Sequence, residues 1–120
     1  MIVDMRSYVK YEKELEHDFR ERLNEAKRLG DVGDVFVEFA FRLLKKVKSG
    51  IDENLIEDVI FDPENSQGYR LLEKLRKELE EELKTSDLPA ILERMAKAAV
   101  HRYEHILRDE DRTDVFRRTP

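Results

Sequence analysis

Two histidines near the end of the chain, His101 and His105, stand four residues apart with Glu104 between them. On a helix that spacing puts both imidazoles on one face, as a two-histidine zinc site requires. The apolar stripe of the same segment is Leu88, Ile91, Leu92, Met95, Ala99, Tyr103, Ile106 and Leu107. At 100° per residue, both histidines and Glu104 point away from that stripe, beside Arg94 and Lys97. A catalytic zinc also needs a third protein ligand and a cavity. His101, Glu104 and His105 are therefore expected on a solvent face, with no metal or cofactor bound. Other chemistry has even less to stand on. The chain has no cysteine, so thiolate metal sites, disulfides and cysteine nucleophiles are all excluded. No G-x-x-x-x-G-K phosphate loop and no G-x-S-x-G nucleophile elbow occurs.

The string His101-Arg102-Tyr103-Glu104-His105 resembles the H-x-x-E-H motif of the inverted zinc peptidases. In that family the third ligand is a glutamate far downstream, in a much larger α/β domain, whereas fifteen residues follow His105 here. Starting two turns earlier, Arg94 to Tyr103 reads R-x6-H-x-Y, which resembles the arginine–histidine motif of HEPN-type domains. These are small all-α proteins, often dimeric, metal-independent ribonucleases. The resemblance implies that Arg94 holds the scissile phosphate and that His101 is the acid–base, a role open to an imidazole. It departs from the family at Met95, where a small polar residue is usual, and at Tyr103, which belongs to the apolar stripe. Glu78-x-x-Glu81 is similar to one of the magnesium-holding strings of all-α nucleotide pyrophosphatases, but the companion E-x-x-D is absent. His17-Asp18 resembles the metal-binding HD pair without its upstream histidine.

The elements that must position these residues read as helices. Residues 4–29 carry Met5, Tyr8, Leu15, Phe19, Leu23 and Ala26 on one stripe, and Gly30 is expected to end the helix. Glu12 sits near the centre of that stripe. It is expected to reach outward to solvent; the other reading is a buried carboxylate with a partner. Residues 32–48 are apolar around two thirds of the circumference, leaving the seam Asp34, Glu38, Arg42 and Lys45. A short helix is expected over 53–60, capped by Asp52 and followed by the breaker FDPENSQG. Another is expected over 69–84, with the seam Leu72, Leu75, Leu79 and Leu83 and the solvated run Glu80-Glu81-Glu82. The last spans about 88–109. No stretch alternates with period two for long enough to be a strand.

The expected fold is an all-α, compact antiparallel bundle or array of about five helices, four long and one short. Residues 1–109 form its single domain, and 110–120 are expected to be a mobile tail, with Val115 and Phe116 able to dock it. The 120 residues carry 42% charged side chains, far above the usual quarter, with mixed signs and a net charge of −5. That texture resembles small proteins of hyperthermophilic archaea and suggests thermostability. The net charge argues against bulk attraction to nucleic acid or anionic membrane. No leader and no apolar span is expected, which points to the cytoplasm. The favoured function is a non-catalytic interaction or assembly module. It would self-associate, or meet another protein, through helix 32–48, whose apolar arc is wider than a small bundle needs to cover. The alternative is an HEPN-like RNA-cleaving or RNA-binding domain using Arg94 and His101.

Overall fold

The computed structural model describes residues 7–118, with side chains through Asp109. The chain runs α1 (Val9–Glu25), α2 (Leu29–Val47), a 3-10 helix (Glu53–Asp58), β1 (Val59–Phe61), β2 (Tyr69–Leu71), α3 (Glu73–Glu78), α4 (Glu80–Thr85) and α5 (Leu88–Arg118). It is a mostly helical array carrying one small antiparallel hairpin. Val59 pairs with Leu71, Ile60 with Arg70 and Phe61 with Tyr69. No helix among the described residues is long and apolar enough to cross a membrane.

α2 is the axis of the core. Val32, Phe36, Ala40, Leu43 and Leu44 are wholly buried, with Val35, Phe39 and Phe41 nearly so. Phe39 meets Phe19 of α1, and Phe36 meets Phe61 and Tyr69 of the hairpin, at centroid distances of 5.5, 5.7 and 6.3 Å. The wide apolar arc is thus covered from within the chain, and helix 32–48 offers no broad apolar face to a partner. A hairpin that the sequence did not announce supplies part of the cover. The polar seam behaves as expected: Arg42 pairs with Glu38 at 2.7 Å and lies over the Phe39 ring, where its stem adds packing to charge.

α1 and α2 run antiparallel, because Glu14 pairs with Lys46 and Arg22 with Glu38. α1 and α5 run parallel. Their pairings rise together, from Tyr8 with Asp87, through Glu12 with Arg94, to Asn24 with Arg102.

Several boundaries differ from the sequence reading. α1 stops at Glu25, and Gly30 lies in the first turn of α2. The break falls at Ala26 because Arg102 Nη2 donates to the carbonyls of Asn24 and Ala26, at 3.2 and 2.8 Å, and so caps the end of α1. α2 restarts with the Asp31 carboxylate accepting the Arg28 N–H. The expected helix over 53–60 is a 3-10 helix that passes into β1, although Asp52 caps it as expected, accepting from Asn54 N at 2.9 Å. The expected helix over 69–84 begins as β2 and is interrupted at Leu79. α5 continues past residue 109 to Arg118. Met5, and the side chains of Val115 and Phe116, lie outside the described residues.

The start of α1 is held from a distance. Asp87, just before α5, accepts the Tyr8 N–H and the Ser7 hydroxyl, both at 2.8 Å. This supplies an acceptor at the start of a helix whose own N-cap residue, Tyr8, makes no side-chain cap hydrogen bond. Asp87→Ala is expected to cost about 1 kcal/mol of unfolding free energy, and Asp87→Asn less, measured by urea denaturation. Equal stability of wild type and the alanine variant would show that this clamp is slack.

Candidate groove between α1 and α5

α5 sends Arg94, Ala98, His101, Arg102 and His105 toward α1, at steps of three and four residues. α1 answers with Glu12, Glu16, Phe19, Arg20, Leu23 and Asn24. Between them lie two concavities that share Arg20 and Ala98, so they adjoin along one groove. The upper one holds about 280 Å3 and is lined by Glu12, Lys13, Leu15, Glu16, Phe19, Arg20, Arg94, Met95 and Ala98. The lower holds about 420 Å3 and adds Leu23, Asn24, His101, Arg102 and His105. The floor is closed: Leu15, Phe19, Leu23 and Met95 are all buried, and the small exposed Ala98 stands at the middle. The walls are charged and open.

Glu12 is the main departure from expectation at this site. Its side chain is only 19% exposed and does not simply reach into solvent. Arg94 reaches across from α5 and binds both carboxylate oxygens, Nε to Oε2 at 3.0 Å and Nη2 to Oε1 at 2.9 Å. The hydrogen bond to Glu12 holds the Arg94 guanidinium above its ordinary range. A planar fork meeting a carboxylate this way is the strongest form of ion pair and fixes helix spacing as well as charge. Arg94 is about half exposed, so its worth is modest. A double-mutant cycle over Glu12→Ala and Arg94→Ala is expected to give about 1 kcal/mol of coupling, shrinking in high salt. Coupling of zero at low salt would mean that the two side chains do not hold each other.

His101, Glu104 and His105 are exposed, as the helical wheel requires. The two imidazoles nonetheless line the lower groove, while Glu104 does not. His105 Nε2 lies 3.5 Å from Asp109, one turn on. The H-x-x-E-H string is therefore not gathered around one point. The described histidines and carboxylates whose donor atoms do converge, within 4.8 Å, are His17, Asp18 and Glu21. All three are on the outer side of α1, and His17 and Glu21 form an ordinary one-turn pair at 3.3 Å. Glu78 and Glu81 are exposed on either side of the interruption at Leu79, and Glu78 faces Lys48.

Arg94 and His101 share the groove but differ in state. Arg94 is bound by Glu12, whereas His101 stands open on the wall. Sequence reasoning missed Arg20 and Arg102, the two arginines of the lower groove. Arg20 pairs with Glu16 at 2.7 Å on the exposed face of α1. Arg102 caps α1, and its Nε is buried without an acceptor. The available signal was weak: the eight-residue step from Arg94 to Arg102 leaves them about 80° apart around α5, on adjoining sides rather than in line.

No protein-family model matches this chain, and no curated protein or solved structure shows significant similarity to it.

Proposed function

We propose that the protein is a non-catalytic helical interaction module that seats a segment of a partner protein in the groove between α1 and α5. The observation that carries this reading is the groove itself. Two parallel helices build it, a closed apolar floor underlies it, and charged side chains rim it. Its lining runs from Glu12 to Asn24 along α1, about three turns or roughly 18 Å, a span suited to a short helix. Ala98 at the centre leaves room for a backbone or a knob side chain to come close. The exposed large apolar side chains among the described residues, Leu72 and Leu107, lie outside the groove lining and are scattered singly, a pattern that needs no partner.

Selection of peptides from a random helical library tests the reading. Binders are expected for the wild type, and Ala98→Trp, which fills the groove from an exposed position, should abolish them without lowering the unfolding midpoint. Binders that ignore the tryptophan, or no binders at all, would remove it.

A second reading, an HEPN-like RNA-cleaving domain, is favoured by one observation: Arg94 and His101 line the same groove. It requires Arg94 to leave Glu12. Incubation with RNA beside His101→Ala decides it. Cleavage that is lost in the variant supports this reading, and no cleavage or equal cleavage by both removes it.

A further inference from the structure

The groove is charged opposite to the protein that carries it. The chain has a net charge of −5. Along the groove, however, Lys13, Arg20, Arg94 and Arg102 face only two carboxylates, Glu12 and Glu16. The imbalance is concentrated at one end. The upper half contains both acids, and Glu12 is fully engaged by Arg94. The lower half is lined by Arg20, Leu23, Asn24, Ala98, His101, Arg102 and His105, with no carboxylate among them. Here the end of α1 would ordinarily present a negative dipole, but Arg102 already occupies its last carbonyls.

We infer that the segment seated in this groove is an acidic amphipathic helix of a partner protein, with its carboxylates concentrated over the lower half. This inference rests on the groove reading above and adds the chemistry of the partner. Carboxylates fit what the lower wall offers. Among the described residues Arg20 is held by Glu16, one turn away on an exposed helix face, in a pair weak enough to exchange for an incoming carboxylate. His105 has a similar one-turn neighbour in Asp109. His101 is exposed on the same wall, and Asn24 adds an uncharged amide. A long polyanion fits less well. It would run beyond the groove over the remainder of the chain, whose net charge is negative, and the lining aromatic, Phe19, is buried at 4% exposure and presents no stacking platform for bases.

The test uses the full chain and three labelled probes followed by fluorescence anisotropy. One is a synthetic helical peptide of about 14 residues, enough to span about 20 Å, with leucine on one face and glutamate elsewhere. The second replaces each glutamate by lysine, and the third is an oligouridylate. The glutamate peptide is expected to bind at least about tenfold more tightly than the lysine peptide, and to weaken as salt rises. Charge reversal on the exposed wall, R20E with H101E, should weaken it at least about tenfold, and Lys13→Glu should weaken it less. Circular dichroism melts verify that each variant is folded. Equal binding of both peptides, indifference to R20E with H101E, or tighter binding of the oligouridylate would each overturn the acidic-partner inference. Library binders that are not rich in aspartate or glutamate would overturn it while leaving the groove reading intact, whereas an absence of any groove binder would remove both.

Discussion

Phe36→Ala is expected to lower the unfolding free energy by about 3–5 kcal/mol, enough to leave a small domain barely folded. The ring is completely buried on α2, and it touches both strands of the hairpin through Phe61 and Tyr69. Truncation forfeits the transfer free energy of the ring and also opens a cavity that rigid neighbours cannot refill. Phe61 in turn lies edge-on to Tyr103 of α5, at 5.9 Å. One substitution therefore loosens α2, the hairpin and α5 together. Urea titration should show a lower midpoint, whereas Leu72→Ala, at an exposed position, should stay within about 0.5 kcal/mol of wild type. A loss below about 1 kcal/mol for Phe36→Ala would mean that the hairpin does not pack on α2 as described.

That same cluster shows what the sequence could and could not say. α2 was legible because ten apolar side chains crowd seventeen positions, a pattern that only a nearly surrounded helix carries. What surrounds it was not legible. Strands of three residues contain one alternation each, too little for any periodicity, so Val59 and Ile60 read as the end of a helix, Phe61 as the start of the breaker after it, and Tyr69–Leu71 as the beginning of another helix. The expected partner for α2 was a consequence of that gap: two strands that could not be seen left its apolar arc seemingly uncovered. The end of α1 was hidden for a different reason. Gly30 carries the local stop signal, but the acceptor groups are satisfied by Arg102, seventy-odd residues away.

The groove was half legible. The wheel placed Arg94, His101 and His105 together on one flank of α5, and placed Glu12 where a carboxylate has no business without a partner. Joining the two observations needed one more fact, that α1 and α5 are parallel neighbours in matching register. Chain order alone does not supply it, since several elements intervene between α2 and α5. An aliphatic residue at position 12 would have made the stripe of α1 cleaner and the fold easier to read. A carboxylate there gives Arg94 a fixed place on the groove wall, at the cost of partly burying a charge. Such departures from a simple apolar pattern are where binding surfaces are commonly built.

Gly68→Ala is the second large effect, expected at about 2–4 kcal/mol for the addition of a single methyl group. Gly68 closes the hairpin loop with φ of +85°, a conformation in which an L side chain is strained. Space is also lacking. A Cβ at this position would stand 2.9 Å from the Ala96 Cβ and 3.4 Å from the Ala96 carbonyl carbon of α5. Alanine has no rotamer with which to yield, so either the loop or the helix must move. Movement of the loop would strain the Asp62 N–H bond to the Gly68 carbonyl and the Lys97 bond to the Ser66 carbonyl, which tie the hairpin to itself and to α5. Gly30 provides the control. It lies in the first turn of α2 and needs no unusual backbone angle, and a methyl added there would meet no neighbour within 4 Å. Gly30→Ala is therefore expected to be neutral or to stabilise by about 0.5 kcal/mol, through lower entropy of the unfolded chain. Opposite signs for the same chemical change, read as unfolding midpoints under identical conditions, would place the hairpin against α5. Equal, small effects at both glycines would refute that packing.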